Sequence, residues 1–423
     1  GRGFAAAFAP NLVALGRDGR ESSPELAAAL AQGLSEAGVA VADLGLCGTE
    51  EVYFATGHLG AGGGLMVTAS HNPIDWNGIK MVREGARPIA WESGLGALHD
   101  RVMAGDLGPA AAVPGAVAPC DIRAAYVAKV LSFVDLSALR PLRIVVDAGN
   151  GAAGPTFDAL APRLEAAGLS FVRLHHDPDP RFPNGIPNPL LPGNRAATAA
   201  AVRAAGADLG VAWDGDFDRC FFFDETGGFV DGEYVVALLA QAFLARHPGA
   251  RIVHDPRVEW NTRAVVAAAG GEAVVSRTGH ALIKARMREV DAVYGGEMSA
   301  HHYFREFLYC DSGMIPWLLV AELVCRAGRP LGALVGGMRA AFPSSGEINF
   351  HLADPDAALA RLEARYLAEA ESVDRLDGLS LSFPDWRVNL RKSNTEPVLR
   401  MNLETRGDRA LLDAQVARLT ALI

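Results

Sequence analysis

One pattern recurs along the chain: an apolar strand ending in Asp, a polar turn with Gly or Arg, an Ala-rich helix, a Gly stop and a further strand. The first copy is NLVALGRDGR, a helix over 23–37, Gly38 and VAVADLG; Ser22 or Ser23 can cap this helix, and Pro24 suits its first turn. The second is LRIVVDAGNG, a helix near 157–167, Gly168 and SFVRLHHD. The third is ARIVHDPR, a helix near 262–269, Gly270 and EAVVSRTGH. Strand, crossover helix and strand make right-handed units with sheets buried on both faces, so three α/β domains are expected. After about Ser344 the texture changes to GEINFHL, a helix through 357–370, then LSLSF, WRVNL, VLRMNLE and a final helix, which predicts a smaller α+β domain. The expected domains are 1–120, 121–226, 227–343 and 344–423. The Ala-, Pro- and Gly-rich stretch 105–119 is the expected linker between the first two.

Length agrees, since 423 residues at roughly 150 per domain give about three or four domains. With 50% hydrophobic and 21% charged residues the chain is not disordered. A net charge of −10 argues against nucleic acid or an anionic membrane as partner, so an anionic ligand needs a local basic pocket. Cysteines 47, 120, 220, 310 and 325 form no CxxC pair and no zinc spacing, which predicts a reducing, cytoplasmic setting without a disulfide framework. The most apolar stretch, MIPWLLVAELVC from Met314, is broken by Pro316 and Glu322 and falls short of the roughly 20 residues of a membrane span. The chain starts at Gly1 with neither Met nor a signal-peptide pattern, so the natural N-terminus is expected to lie further upstream.

Candidate chemistry lies in four loops. MVTASHNPIDWNGIK, after the glycines at 62–64, carries Thr68, Ser70, His71 and Asn72 from a strand end into a loop where Pro73 bars a helix. A Ser beside a His can act as nucleophile or carry a phosphoryl group, although an ordinary polar turn has the same composition. GVAWDGDFDRCFFFDE alternates Asp214, Asp216 and Asp218 after an apolar strand; three such carboxylates repel one another unless a cation sits among them, and hard oxygen ligands favour Mg²⁺. A calcium loop would put Glu225 at its twelfth position but needs Gly where Arg219 stands, and CFFF reads as a buried strand. A solvated acidic turn is the plainer alternative. YGGEMSAHHYF offers Glu297, Ser299 and His301 to sugar hydroxyls or to water. NLRKSNTEPVLR gathers Arg391, Lys392, Ser393, Asn394 and Thr395, the composition of a phosphate cradle or of a plain surface turn. Gly149, Gly151 and Gly154 form a GxGxxG with Asp177 near the next strand end, the fingerprint of a dinucleotide site. More often such glycines only let a helix pack closely on a strand, and nothing downstream supplies a hydride-transfer site.

TASHNP, DGDFDR, GEMSAHHYF and RKSNTEPVLR occur in this order, one per expected domain, and in that arrangement the chain resembles the α-D-phosphohexomutase family over essentially its whole length. GRDGRESSPEL, GLCGTEEVYF, FPNGIPNPLLP and YCDSGMIPWLL strengthen the match to bacterial phosphomannomutases and phosphoglucomutases. The resemblance implies three α/β/α sandwich domains, a smaller C-terminal domain, and transfer of phosphate between the 6- and 1-positions of mannose, with glucose phosphates as further substrates, through a hexose 1,6-bisphosphate. It implies that Ser70 is the phosphorylated residue, that Asp214, Asp216 and Asp218 bind Mg²⁺ together with the phosphoserine, and that His71, Lys80 and Arg219 surround the transferring group. Arg257, Thr278, Gly279 and His280 would orient substrate, Glu297, Ser299 and His301 would bind sugar, and Arg391, Ser393, Asn394 and Thr395 would hold the distal phosphate. Phe217 and Ala300 stand where the family often has Gly, and Arg257 where it often has Lys; the family's opening strand, with an Arg near the phosphoserine, is absent before Gly1. Three rivals remain on sequence alone: a haloacid-dehalogenase type enzyme with Asp214 as nucleophile, which expects Thr or Val at Asp218, an NAD-dependent oxidoreductase built on 149–154, and a non-catalytic phosphosugar-binding protein.

Overall fold

The computed structural model describes residues 1–392 and 397–423, so Ser393, Asn394 and Thr395 lie outside the described residues. Two compact units are present, Gly1–Phe229 with Ser299–Leu331 and Val230–Met298 with Gly332–Ile423.

In the first unit the strand Leu12–Arg17 lies between Ala40–Leu46 and Gly63–Val67, parallel to both. Ile79–Arg83 adds antiparallel to Gly63–Val67, which sets Lys80 opposite Met66 at the end of the sheet where the serine loop begins. The crossover helix Ser23–Glu36 has Pro24 in its first turn and closes Ala27 and Leu34 over Val13, Leu15 and Leu65. Ser22 occupies its N-cap position, but neither serine makes a side-chain cap bond there. The expected linker is not a free connection: Ala111 and Gly115 donate to the carbonyls of Glu36 and Ser35 (both 2.8 Å), and Val117–Pro119 pairs with Ala40–Leu46 as a further parallel strand. The edge of Ala40–Leu46 would otherwise expose its backbone groups, and this segment satisfies them.

A second sheet of the same unit sets Leu142–Asp147 between Leu169–Leu174 and Leu209–Trp213, with Cys220–Phe223 antiparallel to the last. Leu209–Trp213 and Cys220–Phe223 are buried along their whole length, which rules out a calcium loop running through CFFF. The helix expected near 157–167 spans Ala153–Ala166, beginning inside the glycine segment. Its glycines explain the early start: a Cβ on Gly151 would lie 2.7 Å from the carbonyl oxygen of Gly215, and one on Gly154 would lie 2.0 Å from that of His176. They serve close packing, as the plainer reading of GxGxxG holds. The apolar run from Met314 is the helix Met314–Ala327, almost entirely buried, with Pro316 in the first turn where no amide is needed.

In the second unit Arg251–His254 lies between Glu272–Val275 and Tyr294–Gly296, all parallel, and the crossover helix Trp260–Ala268 starts slightly before the expected Thr262. The C-terminal part is an antiparallel sheet in the order Ser344–His351, Val398–Thr405, Trp386–Lys392, Leu379–Ser382, Ser372–Asp374. Helices Pro355–Tyr366 and Arg409–Leu422 bury Leu362 and Leu419 against Leu381, Leu390 and Met401. Asp354 and Asp408 cap them by accepting from the amides of Ala357 and Leu411. Among the described residues no helix is long and apolar enough to cross a membrane.

Candidate active site

Both loops of interest in the first unit leave the carboxyl ends of strands, where open α/β sheets bind ligands. After Gly63–Val67 the chain turns sharply: Ser70 has φ 49°, and its amide donates to Thr68 Oγ1 at 2.8 Å. The loop is held from below by Arg20, whose guanidinium donates to the carbonyls of Ser70, Asn72, Pro73, Ile74 and Trp76 at 2.7–3.3 Å. Arg20 is almost wholly buried and paired with Asp18 (3.4 Å). Five carbonyls on one fixed fork leave the loop little freedom, so Ser70 presents its hydroxyl in one direction.

That direction is the aspartate loop after Leu209–Trp213. Ser70 Oγ donates to Asp214 Oδ2 at 2.7 Å, and Gly215 allows the approach, since a Cβ there would lie 2.6 Å from the Ser70 carbonyl oxygen. Arg219 donates from Nε and Nη2 to the same Asp214 oxygen (2.9 and 2.6 Å), from Nη2 to Ser70 Oγ (3.4 Å), and also to His71 Nδ1. Because Arg219 can only donate, His71 Nδ1 is the bare nitrogen of a neutral ring, 3.1 Å from Ser70 Oγ. Burial, reinforced by the Arg219 charge, lowers the His71 pKa to about 3. Lys80 Nζ bridges Asp216 Oδ2 (2.7 Å) and Asp218 Oδ2 (2.5 Å). Burial works against its charge, but the surrounding aspartates prevail and hold it protonated. Asp214 is raised above the usual carboxylate range, first by burial and then by its two acidic neighbours, against the pull of Arg219.

Asp214, Asp216 and Asp218 are buried, and one oxygen of each lies within 4.8 Å of the others. In all three, Oδ2 is engaged while Oδ1 is buried without a hydrogen-bond partner. Three carboxylates against Lys80 and Arg219 leave one uncompensated buried negative charge. Three buried oxygens without partners, on carboxylates clustered closely enough to share one ion and with negative charge left over, fit a small divalent cation with oxygen preference. Phe217, between the second and third aspartates, has φ 43°, and Ala300 has φ 70°. Both positions use the left-handed backbone that glycine adopts without strain, which explains why these two residues look out of place in their motifs.

His301 joins this cluster: its Nδ1 is 3.0 Å from Asp311 Oδ2 and 3.9 Å from Asp218 Oδ1. Ser299, half-buried, belongs to the same unit. Glu297, their companion in sequence, lies in the second unit and accepts from the Gly279 amide at 3.0 Å. Around it Arg257 pairs with Asp255 (3.0 Å) and faces Glu297 and Glu347 (both 3.6 Å); Asp255 holds it charged despite its burial. The Thr278 amide donates to Asp377, and His280 opens the helix His280–Val290. Arg391 reaches Glu347 at 3.6 Å and Asp377 at 3.9 Å, with its Nε buried and unpartnered, and Arg400 reaches Glu347 at 3.9 Å. Three arginines share Glu347 at distances beyond a hydrogen bond, an arrangement ready for a further anion.

Sequence reasoning did not single out Arg20, Asp311, Glu347, Asp377 or Arg400 as site residues. Arg20 and Asp311 lie within the quoted GRDGRESSPEL and YCDSGMIPWLL, so the signal was present without a role. Arg400 closes the segment NLRKSNTEPVLR and Glu347 lies in GEINFHL, and strand pairing is what brings the two together.

Phosphoglucomutase/phosphomannomutase alpha/beta/alpha domains I, II and III match residues 1–94, 124–228 and 231–341, and the C-terminal domain of that family matches 347–422. A phosphomannomutase of Salmonella montevideo is 58% identical over 426 residues, covering 100% of this chain and 93% of the relative. One from Escherichia coli is 55% identical over 426 residues with the same coverage. A Xanthomonas campestris protein named phosphohexose mutases is 57% identical over 411 residues, covering 97% of this chain and 91% of its own. A crystal structure of a phosphoglucomutase/phosphomannomutase family protein from Burkholderia thailandensis superposes with a TM-score of 0.86 at 33% identity, over 100% of this chain and 92% of that one. The chain belongs to the phosphoglucomutase/phosphomannomutase family, with three α/β/α domains and a C-terminal domain.

Proposed function

We propose that this chain interconverts mannose 6-phosphate and mannose 1-phosphate through a phosphoserine at Ser70 and a hexose 1,6-bisphosphate, with glucose phosphates as further substrates. The reaction class, an isomerase that transfers phosphate within a hexose phosphate, follows from the family. The observation that carries the residue roles is Ser70 Oγ held between a neutral His71, Arg219 and a buried aspartate triad.

In this reading the hydroxyl oxygen of a bound hexose phosphate attacks the phosphorus on Ser70, the Oγ–P bond breaks, and the phosphoryl group passes to the sugar. Such transfers ask the protein for position and charge neutralisation rather than covalent chemistry. Arg219 and the protonated Lys80 neutralise charge on the equatorial oxygens and on Ser70 Oγ, and His71, whose Nδ1 is released and made more basic when Arg219 turns to the phosphoryl oxygens, takes the hydroxyl proton. Asp214, Asp216, Asp218 and the phosphoserine would hold Mg²⁺, which when bound offsets negative charge on the transferring group. After the bisphosphate turns over, its other phosphate returns to Ser70 and the proton goes back to the freed hydroxyl. The product is the isomeric monophosphate.

Arg391 binds the phosphate that is not reacting, with Ser393, Asn394 and Thr395 as its expected partners. Arg257, Thr278, Gly279 and His280 orient the sugar, and Glu297, Ser299 and His301 contact its hydroxyls. ³¹P NMR of purified protein with Mg²⁺, a trace of glucose 1,6-bisphosphate and mannose 6-phosphate should show mannose 1-phosphate accumulating; no conversion of any hexose phosphate would overturn the reading. In the same assay Arg391→Ala should raise the apparent KM for both the 1- and 6-phosphates by similar factors, roughly 10- to 150-fold for a charge-assisted contact. Loss for one isomer alone would mean a fixed substrate orientation, contrary to turnover of the intermediate.

A further inference from the structure

The aspartate loop is clamped by residues outside its own motif. Thr49, the first residue of the helix Thr49–His58, is fully buried; its hydroxyl donates to Asp216 Oδ2 at 2.5 Å, and its amide donates to the Asp216 carbonyl at 3.1 Å. Beside it Gly48 lies against the ring of Phe217, so close that a Cβ would stand 2.2 Å from a ring carbon. On another side a Cβ on Gly313 would stand 2.3 Å from the Phe217 carbonyl oxygen. The left-handed Phe217 is thus held between two glycines, and Asp216 is fixed at both backbone and side chain.

We propose that Thr49 is the positioning residue for Asp216, setting which carboxylate oxygen faces the divalent cation; this rests on the cation reading of the triad. Lys80 also donates to Asp216 Oδ2, but from a long, partly exposed side chain that it shares with Asp218. One donor on a flexible stem leaves the carboxylate free to rotate and present both oxygens to the ammonium. The short, β-branched Thr49 fixes the torsion from a helix terminus, so that Oδ2 is occupied and Oδ1 is the atom left unpartnered. Without that bond, turning Asp216 toward the cation means breaking its contact with Lys80.

Mn²⁺ titration monitored by EPR of the free ion tests this, with thermal melting in EDTA alongside. Thr49→Val keeps the shape and loses the donor, and Thr49→Ala does so without any risk of crowding. Both should weaken Mn²⁺ roughly 10-fold or more, as losses of outer-shell partners do, while Thr49→Ser stays within about 3-fold of the parent. Melting in EDTA should separate the Val and Ser variants by only a few degrees. The Mg²⁺ needed for half-maximal turnover should rise in the Val variant, with kcat recovering at saturating Mg²⁺. Val and Ala variants that bind Mn²⁺ like the parent, or a Ser variant as weak as Val, would overturn the positioning role. Parent protein that binds no Mn²⁺, or Asp216→Asn that binds it equally well, would instead overturn the cation reading beneath it.

Discussion

Ser70→Ala should reduce mutase turnover by roughly a thousandfold or more while hexose phosphates still bind. The substitution removes one oxygen, the only atom in this reading that carries the phosphoryl group between sugars. None of the side chains proposed to bind the sugar is altered: Arg391, Arg257 and Glu297 lie in the second unit, and Ser299 and His301, in the same unit as Ser70, are unchanged. The loop itself should survive, because Arg20 grips backbone carbonyls rather than the serine side chain. Alanine at φ 49° is strained, as serine already is, so the change in stability should be small beside the change in rate. Calorimetric binding of mannose 6-phosphate, measured with the kinetics, separates the two effects. Retention of more than a few per cent of turnover would remove Ser70 from the mechanism.

Asp216→Asn should lower turnover by about 10²- to 10³-fold and raise the Mg²⁺ requirement sharply, since a cation supplies several kcal/mol of charge stabilisation to the transition state. The triad carries three negative charges against Lys80 and Arg219, and in this reading the uncompensated one would draw a cation into a buried site. Asn cancels that charge and turns an amide NH₂ toward the place of the unpartnered Oδ1 while its oxygen still accepts from Thr49. An unchanged Mg²⁺ dependence would show that the aspartates pair with Lys80 and Arg219 for structure alone.

Much of this was legible before any coordinates. Apolar runs such as 144–146 and GVAW read as buried strands, and the Asp that follows each marks the carboxyl end where the loops gather. The four loops could be read because their chemistry is local: Ser beside His, three alternating aspartates, two cations in one turn. What could not be read was set by distant partners. Arg20 looks like an ordinary polar residue of a turn until the 70–76 carbonyls close around it, and Thr49 meets Asp216 only once two sheets stand together. The helix starts at Ala153, inside a glycine-rich segment whose composition reads as loop, because bare glycines let it close on its neighbours. The stretch 105–119 has the composition of a linker, yet an unpaired strand edge recruits it. His301 and Glu297 are neighbours in sequence but serve different units, a division that no local pattern encodes.

The central claim is that Ser70 carries the phosphoryl group and hands it to the sugar. Protein treated with glucose 1,6-bisphosphate carrying ¹⁸O-labelled phosphates, digested and weighed should show the labelled phosphoryl group, a gain of about 80 Da plus the label, on the peptide bearing Ser70, and adding unlabelled mannose 6-phosphate should move the label to the sugar phosphates while Ser70 is left carrying an unlabelled phosphoryl group. A peptide that never gains this mass, or that keeps the label through turnover of unlabelled substrate, would contradict the account.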